Sequence, residues 1–193
     1  MDFYHDARHN VLIYPVQNPF LLQHLPDAKL LNGGHMAVPF NLTNCQVLRY
    51  YNHPVPPVIT DANYDWPIEP GKTPGSHQKM MANFDVLHRK AFNLSDPGTQ
   101  KTLAKIWAAD WLMQQYPPGE CRVLIVAPLT ILETVWAETI FKTLLSRRSI
   151  EVLYGDAGKR SALLAKKPDF AIINFDGVGV GALTRKEFKL AGF

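Results

Sequence analysis

The octapeptide Ser95-Asp-Pro-Gly-Thr-Gln-Lys-Thr102 sets a glycine, then a lysine and a hydroxyl residue, just ahead of an apolar periodic segment. That is the chemistry of a phosphate-binding loop. Glycines let backbone N–H groups approach the phosphates, a lysine reaches the β/γ oxygens, and a Ser/Thr hydroxyl ligates Mg²⁺. The helix N-terminus adds a favourable dipole. Gly98, Thr99, Lys101 and Thr102 suit these roles, but Gln100 stands where such loops carry glycine before the lysine. A Cβ there obstructs close approach, and a non-glycine residue held at positive φ costs about 1–2 kcal/mol. Nucleotide binding is therefore expected to be weakened or lost. An ordinary strand-to-helix turn accounts for the same residues.

Other constellations are less complete. Gly177-Val-Gly-Val-Gly-Ala182 fits a relaxed dinucleotide fingerprint, but its acidic ribose partner belongs about 20 residues on, past Phe193. A turn is the simpler reading. His5 and His9 have the i, i+4 spacing of a helical metal pair, with no further ligands to complete a site. Trp107, Trp111 and Trp136 fall on apolar helical stripes and are expected in the core. Trp66, between Asp65 and Pro67, is the tryptophan suited to a working surface. The basic pairs Arg147-Arg148, Lys159-Arg160, Lys166-Lys167 and Arg185-Lys186 lie near element ends, where they suit a phosphate backbone or simple solvation. No nucleophile elbow or cysteine-protease signature is present.

These residues must be positioned by two differently built halves. Ten of the 15 prolines lie before residue 76, which excludes long helices and central strands there. Val11–Tyr14, Met36–Phe40 and Gln46–Tyr51 are strand candidates of a small module. Residues 54–76 read as an extended connector with turns at Pro70-Gly71 and Pro74-Gly75. Further on, strands and helices alternate. Ala91–Ser95 is a predicted strand, Lys101–Tyr116 a helix ended by Pro117-Pro118-Gly119, and Val123–Ala127 a strand buried on both faces. A helix follows, with Thr130 and Glu133 as a capping box and Leu132, Trp136, Ile140 and Leu144 as its stripe. Glu151–Tyr154 and Phe170–Phe175 are strands flanking a helix at Gly158–Lys167. This order predicts an α/β fold with a doubly wound parallel sheet.

In order and spacing, the stretch from His77-Gln78 to Gly177-Val178 resembles the first motor lobe of superfamily 2, Swi/Snf-type helicase-like ATPases, particularly their bacterial and phage branch. His77-Gln78 resembles the Q motif. Ser95–Thr102 resembles motif I, usually Asp-x-Gly-x-Gly-Lys-Thr. Leu124-Ile-Val-Ala-Pro-Leu-Thr130, with Trp136 and Glu138, resembles motif Ia, and Ile172–Val178 resembles motif Ib. Less specifically, Val38–Asn44 and Tyr64–Pro67 resemble that branch's accessory segment.

The resemblance implies an incomplete RecA-like (P-loop) parallel sheet with flanking helices in residues 71–193. A small mixed α/β, proline-rich accessory module and connector precede it in residues 1–70. It implies ATP and Mg²⁺ as cofactors: Gln78 would read adenine, Gly98, Thr99 and Gln100 would lie along the phosphates, Lys101 would neutralise their charge, and Thr102 would hold the metal through the nucleotide. It implies DNA, double-stranded because the family moves on duplexes, as partner of Pro128, Leu129, Thr130 and Asn174. Motif II, an Asp-Glu pair that positions Mg²⁺ and water, would fall beyond Phe193, as would the second lobe. The chain alone is expected not to hydrolyse ATP.

Composition bounds the rest. The chain has 193 residues, 47% hydrophobic and 19% charged, which excludes a disordered tail, a collagen-like fibre and a disulfide scaffold. Cys45 and Cys121 form no framework, and no apolar run or leader pattern points to a membrane or to secretion. A cytoplasmic protein is expected, and the resemblance implies a bacterial or phage-infected cell. Residues 1–70 carry a net charge of −3 and residues 71–193 a net of +6, a hint of a polyanionic partner. Three functions fit: a truncated helicase-like ATPase domain, a non-catalytic binding protein derived from such a lobe that engages a protein or nucleic-acid partner, or one half of a split ATPase. Gln100 counts against the third.

Overall fold

Strict alternation in Val11–Pro15 turns Leu12 and Tyr14 inward, both essentially unexposed, and His35–Pro39 does the same with Met36 and Val38. A period of two puts such residues on one sheet face. The register pairs Leu12 with Val38 and Tyr14 with Met36, so one apolar face forms across the two strands. The computed structural model describes residues 3–16, 19–88, 90–144, 147–178 and 185–193. By its contacts the chain divides into two units, Met1–Asn63 with Asn83–Leu94, and Tyr64–Ala82 with Ser95–Phe193. The expected boundary at residue 70 thus becomes an interleaved one.

The first unit carries an antiparallel sheet of β1 (Tyr4–Asp6), β2 (Val11–Pro15), β3 (Lys29–Leu31) and β4 (His35–Pro39), in the order β1-β2-β4-β3. Gly33 and Gly34, at φ 83° and 74°, make the turn between β3 and β4, a backbone conformation that favours glycine. A 3₁₀ segment, Pro19–His24, lies between β2 and β3. Helix α1 (Leu42–Tyr50) follows β4. The expected strand Gln46–Tyr51 is therefore corrected to a helix. Asn41 accepts the N–H of Asn44 at 2.9 Å, and Cys45 and Leu48 bury one face. That cap and three-residue spacing outweigh the strand preference of Val47, Tyr50 and Tyr51. Helix α2 (Ser76–Leu87) was not expected; its last five residues belong to this unit. There the Asn83 amide clamps Ile59, accepting its N–H and donating to its carbonyl, each at 2.9 Å.

The second unit is built on a parallel sheet. Its strands are β5 (Val123–Val126), β6 (Ile150–Val152) and β7 (Phe170–Ile173), in the order β5-β7-β6. Helix α3 (Lys101–Gln114) precedes β5; α4 (Glu138–Leu144), α5 (Ala157–Ala165) and α6 (Arg185–Leu190) follow. The central strand is β7, and all four of its residues are buried. Phe170 and Ile172 pack with Ile106, Met113, Ile140 and Leu144 on one face, while Ala171 and Ile173 pack with Leu153, Leu164 and Phe188 on the other. A parallel sheet covered on both faces reads as a continuous apolar run for this reason. Val123–Ala127, expected to be doubly buried, is instead an edge strand, with Val126 40% exposed. Among the described residues no helix is long and apolar enough to cross a membrane.

Candidate functional site

Nothing precedes the loop at Ser95 in the way expected. Residues 91–96 have no strand pairing, and Phe92 and Leu94 are about 90% exposed. The predicted strand Ala91–Ser95 is corrected to an irregular segment. A short isolated segment gains nothing from two apolar side chains unless a neighbouring strand completes its ladder.

The loop itself is sharply defined. Gly98 lies at φ 84°, with no atom near enough to meet a Cβ, so its glycine serves backbone conformation and not close packing. Thr99 turns its hydroxyl back to donate to the Asp96 carbonyl at 2.8 Å. Gln100, just before α3, is left-handed at φ 54°, ψ 40°, and its side chain makes no capping bond. Lys101 folds its ammonium onto the loop, donating to the Ser95 carbonyl at 2.5 Å and the Asp96 carbonyl at 2.7 Å.

Gln78 and Gln100, 22 residues apart, meet. Gln78 is buried at the start of α2; its Oε1 accepts the Gly75 N–H at 2.8 Å, the reach-back of a capping box, and its Nε2 donates to Gln100 Oε1 at 2.5 Å. The expected Pro74-Gly75 turn therefore serves as the lead-in to a helix.

Beside Gln100, Thr102 and Leu103 runs a cleft of about 390 Å³, walled by Thr134, Val135, Thr139 and the charged residues Glu69, Lys72, Glu138 and Lys142. Lys72 pairs with Glu69, and Lys142 bonds Glu138 at 2.5 Å. The bond from Lys72, helped by Lys142, holds the Glu69 carboxyl below the usual carboxylate range, and Glu138 raises the Lys142 ammonium above its ordinary value. Two cations and two carboxylates leave no net charge among these walls. Lys101, bonded to loop carbonyls, is the loop's own cation.

The residues expected to touch DNA share one edge. Val126 lies opposite Ile173, and the Ala127 N–H donates to the Ile173 carbonyl at 3.0 Å. Pro128, Leu129 and Thr130 leave β5, and Asn174 leaves β7, at the same carboxyl end of the sheet, the edge where open α/β sheets bind ligands. The first three are exposed, and Asn174 donates weakly to Asp176 at 3.4 Å. The expected capping box of Thr130 and Glu133 does not form. Leu129–Ile131 is a 3₁₀ turn followed by a π-helical turn, Leu132–Ala137, and Thr134 donates to the Thr130 carbonyl at 3.3 Å. Of the glycine run, only Gly177 and Val178 lie within the described residues; the remainder, Gly179–Ala182, and the side chains of Arg185 and Lys186 lie outside them.

The structure also places the histidine pair and Trp66. His5 lies in β1 and His9 in the following turn, where it meets Asp6 at 2.7 Å, so their spacing is not helical. Among the described residues no group of three His, Cys, Asp or Glu is arranged to hold a metal ion. Trp66 is buried, edge-on to Tyr64 and Trp107 at 5.2 Å each, with the Lys79 ammonium 5.1 Å from its ring centre.

A charged cluster escaped the sequence reading. Asp110, unexposed in the middle of α3, accepts from Arg148 Nε at 2.6 Å, from Tyr64 Oη at 2.9 Å and from Arg147 Nη1 at 3.1 Å. Arg147 also bonds Asp65 at 2.5 Å, which holds that carboxyl below its usual range, while burial and the Asp110 charge push the Tyr64 hydroxyl up. Arg147-Arg148, read as suiting either a phosphate backbone or simple solvation, is committed to this network. The signal was present: an aspartate within the otherwise apolar run Ile106–Met113 must find cations or lose its charge.

No protein-family model matches the chain, and no curated protein matches it.

Proposed function

We propose that the second unit is a lobe of the superfamily 2, Swi/Snf-type helicase-like ATPase kind, with a RecA-like ancestry, and that residues 95–102 are its phosphate loop, closed by Gln100. The parent activity is ATP-dependent movement on DNA, and Gln100 in the loop weakens or abolishes nucleotide binding. One observation carries the reading: the glutamine matched to the Q motif and the residue that departs from motif I bond each other directly.

The fit to Mg²⁺-ATP is partial. Gly98, the N-terminus of α3, Lys101 and Thr102 suit a phosphate and a metal held through it. Gln100 does not, because its carboxamide is spent on Gln78 and its Cβ stands where glycine permits approach. The neutral cleft beside it offers no surplus positive charge for a polyphosphate. DNA backbone contact falls to Pro128, Leu129, Thr130 and Asn174 at the carboxyl edge of the sheet.

The same bond favours a second reading, a non-catalytic binding module that uses this lobe to engage a protein or nucleic-acid partner without nucleotide. Calorimetric titration of Mg²⁺-ATP into the natural protein and its Gln100→Gly variant separates the two. Saturable binding in the variant alone supports a silenced phosphate loop. Absence of binding in both removes the loop from the proposal and leaves the binding module. Duplex DNA retention by the natural protein, weakened by Thr130→Glu, checks the nucleic-acid edge.

A further inference from the structure

A separate cleft of about 650 Å³ opens within the first unit, with walls from α1, the end of α2 and the 3₁₀ segment that ends at His24. That size suits a small organic ligand. Its apolar surfaces come from Val47 and Leu87. Its aromatic surfaces come from Tyr50 and Tyr51, set edge to face at 5.3 Å, with the His24 ring 5.4 Å from Tyr51. Tyr50 is 80% exposed. Val47 and Tyr50, three apart, share one side of α1, and Tyr51 follows at its C-cap. The Gln46 amide donates to the Val86 carbonyl at 2.7 Å, tying α1 to the end of α2, so the two walls are held together before any ligand arrives.

The chemistry of the rim is one-sided. His24, His88 and Lys90 line it, and no Asp or Glu does so among the described residues. An open aromatic ring beside the Lys90 ammonium and two imidazole rings, with no carboxylate to repel an anion, matches a ligand that is flat at one end and anionic at the other. A nucleotide has that form. Its base stacks on tyrosine without regard to sequence, while its phosphate meets the ammonium.

We propose that this cleft binds an unstacked nucleotide, with its base against Tyr50 and its phosphate at Lys90. The ligand is either one residue of a single strand or a free mononucleotide. The proposal stands apart from the phosphate loop, since every residue it uses lies in the other unit.

The test titrates the full chain with a fluorescein-labelled oligothymidylate of about eight nucleotides, read by anisotropy, with thymidine 5′-monophosphate and a duplex of equal length as competitors. Binding of the single strand should be saturable and weaken as salt rises. Tyr50→Ala should cost about tenfold, Tyr50→Phe should retain binding, and Lys90→Ala should lower the salt slope by about one. Competition by the monophosphate at affinity equal to the oligomer assigns the site to free nucleotide; a much tighter oligomer assigns it to a strand. No saturable binding to any probe overturns the proposal, as does binding that Tyr50→Ala leaves unchanged. Circular dichroism of each variant keeps a folding defect from passing as a binding one. Repeating the Mg²⁺-ATP titration in the Tyr50→Ala background reads the phosphate loop alone, so either reading can fail without the other.

Discussion

The side chain of Gln78 holds Gln100 at 2.5 Å while its own carbonyl caps the Gly75 N–H at 2.8 Å. One buried amide thus links the start of α2 to a left-handed residue at the start of α3. The relationship makes residue 100 a place where backbone strain and side-chain bonding oppose each other.

Gln100→Ala and Gln100→Gly separate those two effects. Both lose the bond to Gln78 and leave a buried donor unpaired, which costs about 1–3 kcal/mol. Alanine keeps the left-handed strain, whereas glycine relieves about 1–2 kcal/mol of it. The glycine variant should be the more stable of the two by roughly that strain energy, read as the difference in urea unfolding free energy. Equal stabilities would show that φ 54° carries no strain here.

Asp110→Ala should be the most damaging single change in the second unit. It strips Arg147, Arg148 and Tyr64 of a shared, fully buried acceptor, and the loss of one partner of such a cluster costs about 3–5 kcal/mol. Arg148→Met should cost less, because Asp110 keeps Arg147 and Tyr64. Denaturant midpoints that rank the two the other way round would contradict the network described.

Asp65 sets a pH dependence at the acid end. Its bond from Arg147 depresses the carboxyl pKa, so the stability it contributes is present above the ordinary carboxylate value of about 3.9 and is lost as pH falls through the depressed value. The stability gap between the natural protein and Asp65→Asn should be constant from about pH 5 to 8 and should shrink below about pH 4. Asp65 is 59% exposed, so the gap should also shrink in about 1 M salt. A gap unchanged by acid would mean that the pair adds nothing measurable.

Cys45 acts at the alkaline end. Burial pushes its thiol from the ordinary 9.0 up to about 12. The unfolded chain ionises first, so stability should be full below pH 9 and fall between pH 9 and about 12. The slope is about 1.4 kcal/mol per pH unit for one group. Tyr14 and Tyr64, also raised by burial, add to the loss above their ordinary value of 10. Cys121, also raised by burial, contributes from the same onset, so Cys45→Ala should make the loss smaller without moving its start. In the folded protein at pH 8, Cys45 should resist iodoacetamide, and it should react once urea unfolds the chain. Rapid alkylation of the folded thiol would contradict its burial.

Much of the second unit was legible because its signals are local. The helix from Lys101, the apolar run Phe170–Ile173 and the helix capped by Asp156, which accepts the Lys159 N–H at 2.9 Å, follow from periodicity and caps. Likewise β2 and β4 were legible as short apolar runs. The failures share a cause. Ala91–Ser95 and Gln46–Tyr51 both have strand-like composition, but a strand exists only where another strand offers a ladder, and neither segment has one. The capping box at Thr130 failed because the chain leaves β5 through Pro128 in a 3₁₀ turn, which carries the threonine hydroxyl away from the geometry a cap requires.

What the residues alone determined is the composition of the loop: Gly98, Lys101 and Thr102 ahead of a helix, with Gln100 just before the lysine. Their spacing also determined a parallel sheet with helices on both faces, because continuous apolar strands and striped helices must bury those surfaces. Tertiary structure alone decided that Gln78 reaches Gln100, that Asp110 gathers Arg147 and Arg148, and that Tyr50 opens onto a cleft rimmed by His24 and Lys90. Each of those pairings joins positions 22 to 40 residues apart. Side-chain bonds depend on distances in space, and those are fixed only once the elements pack.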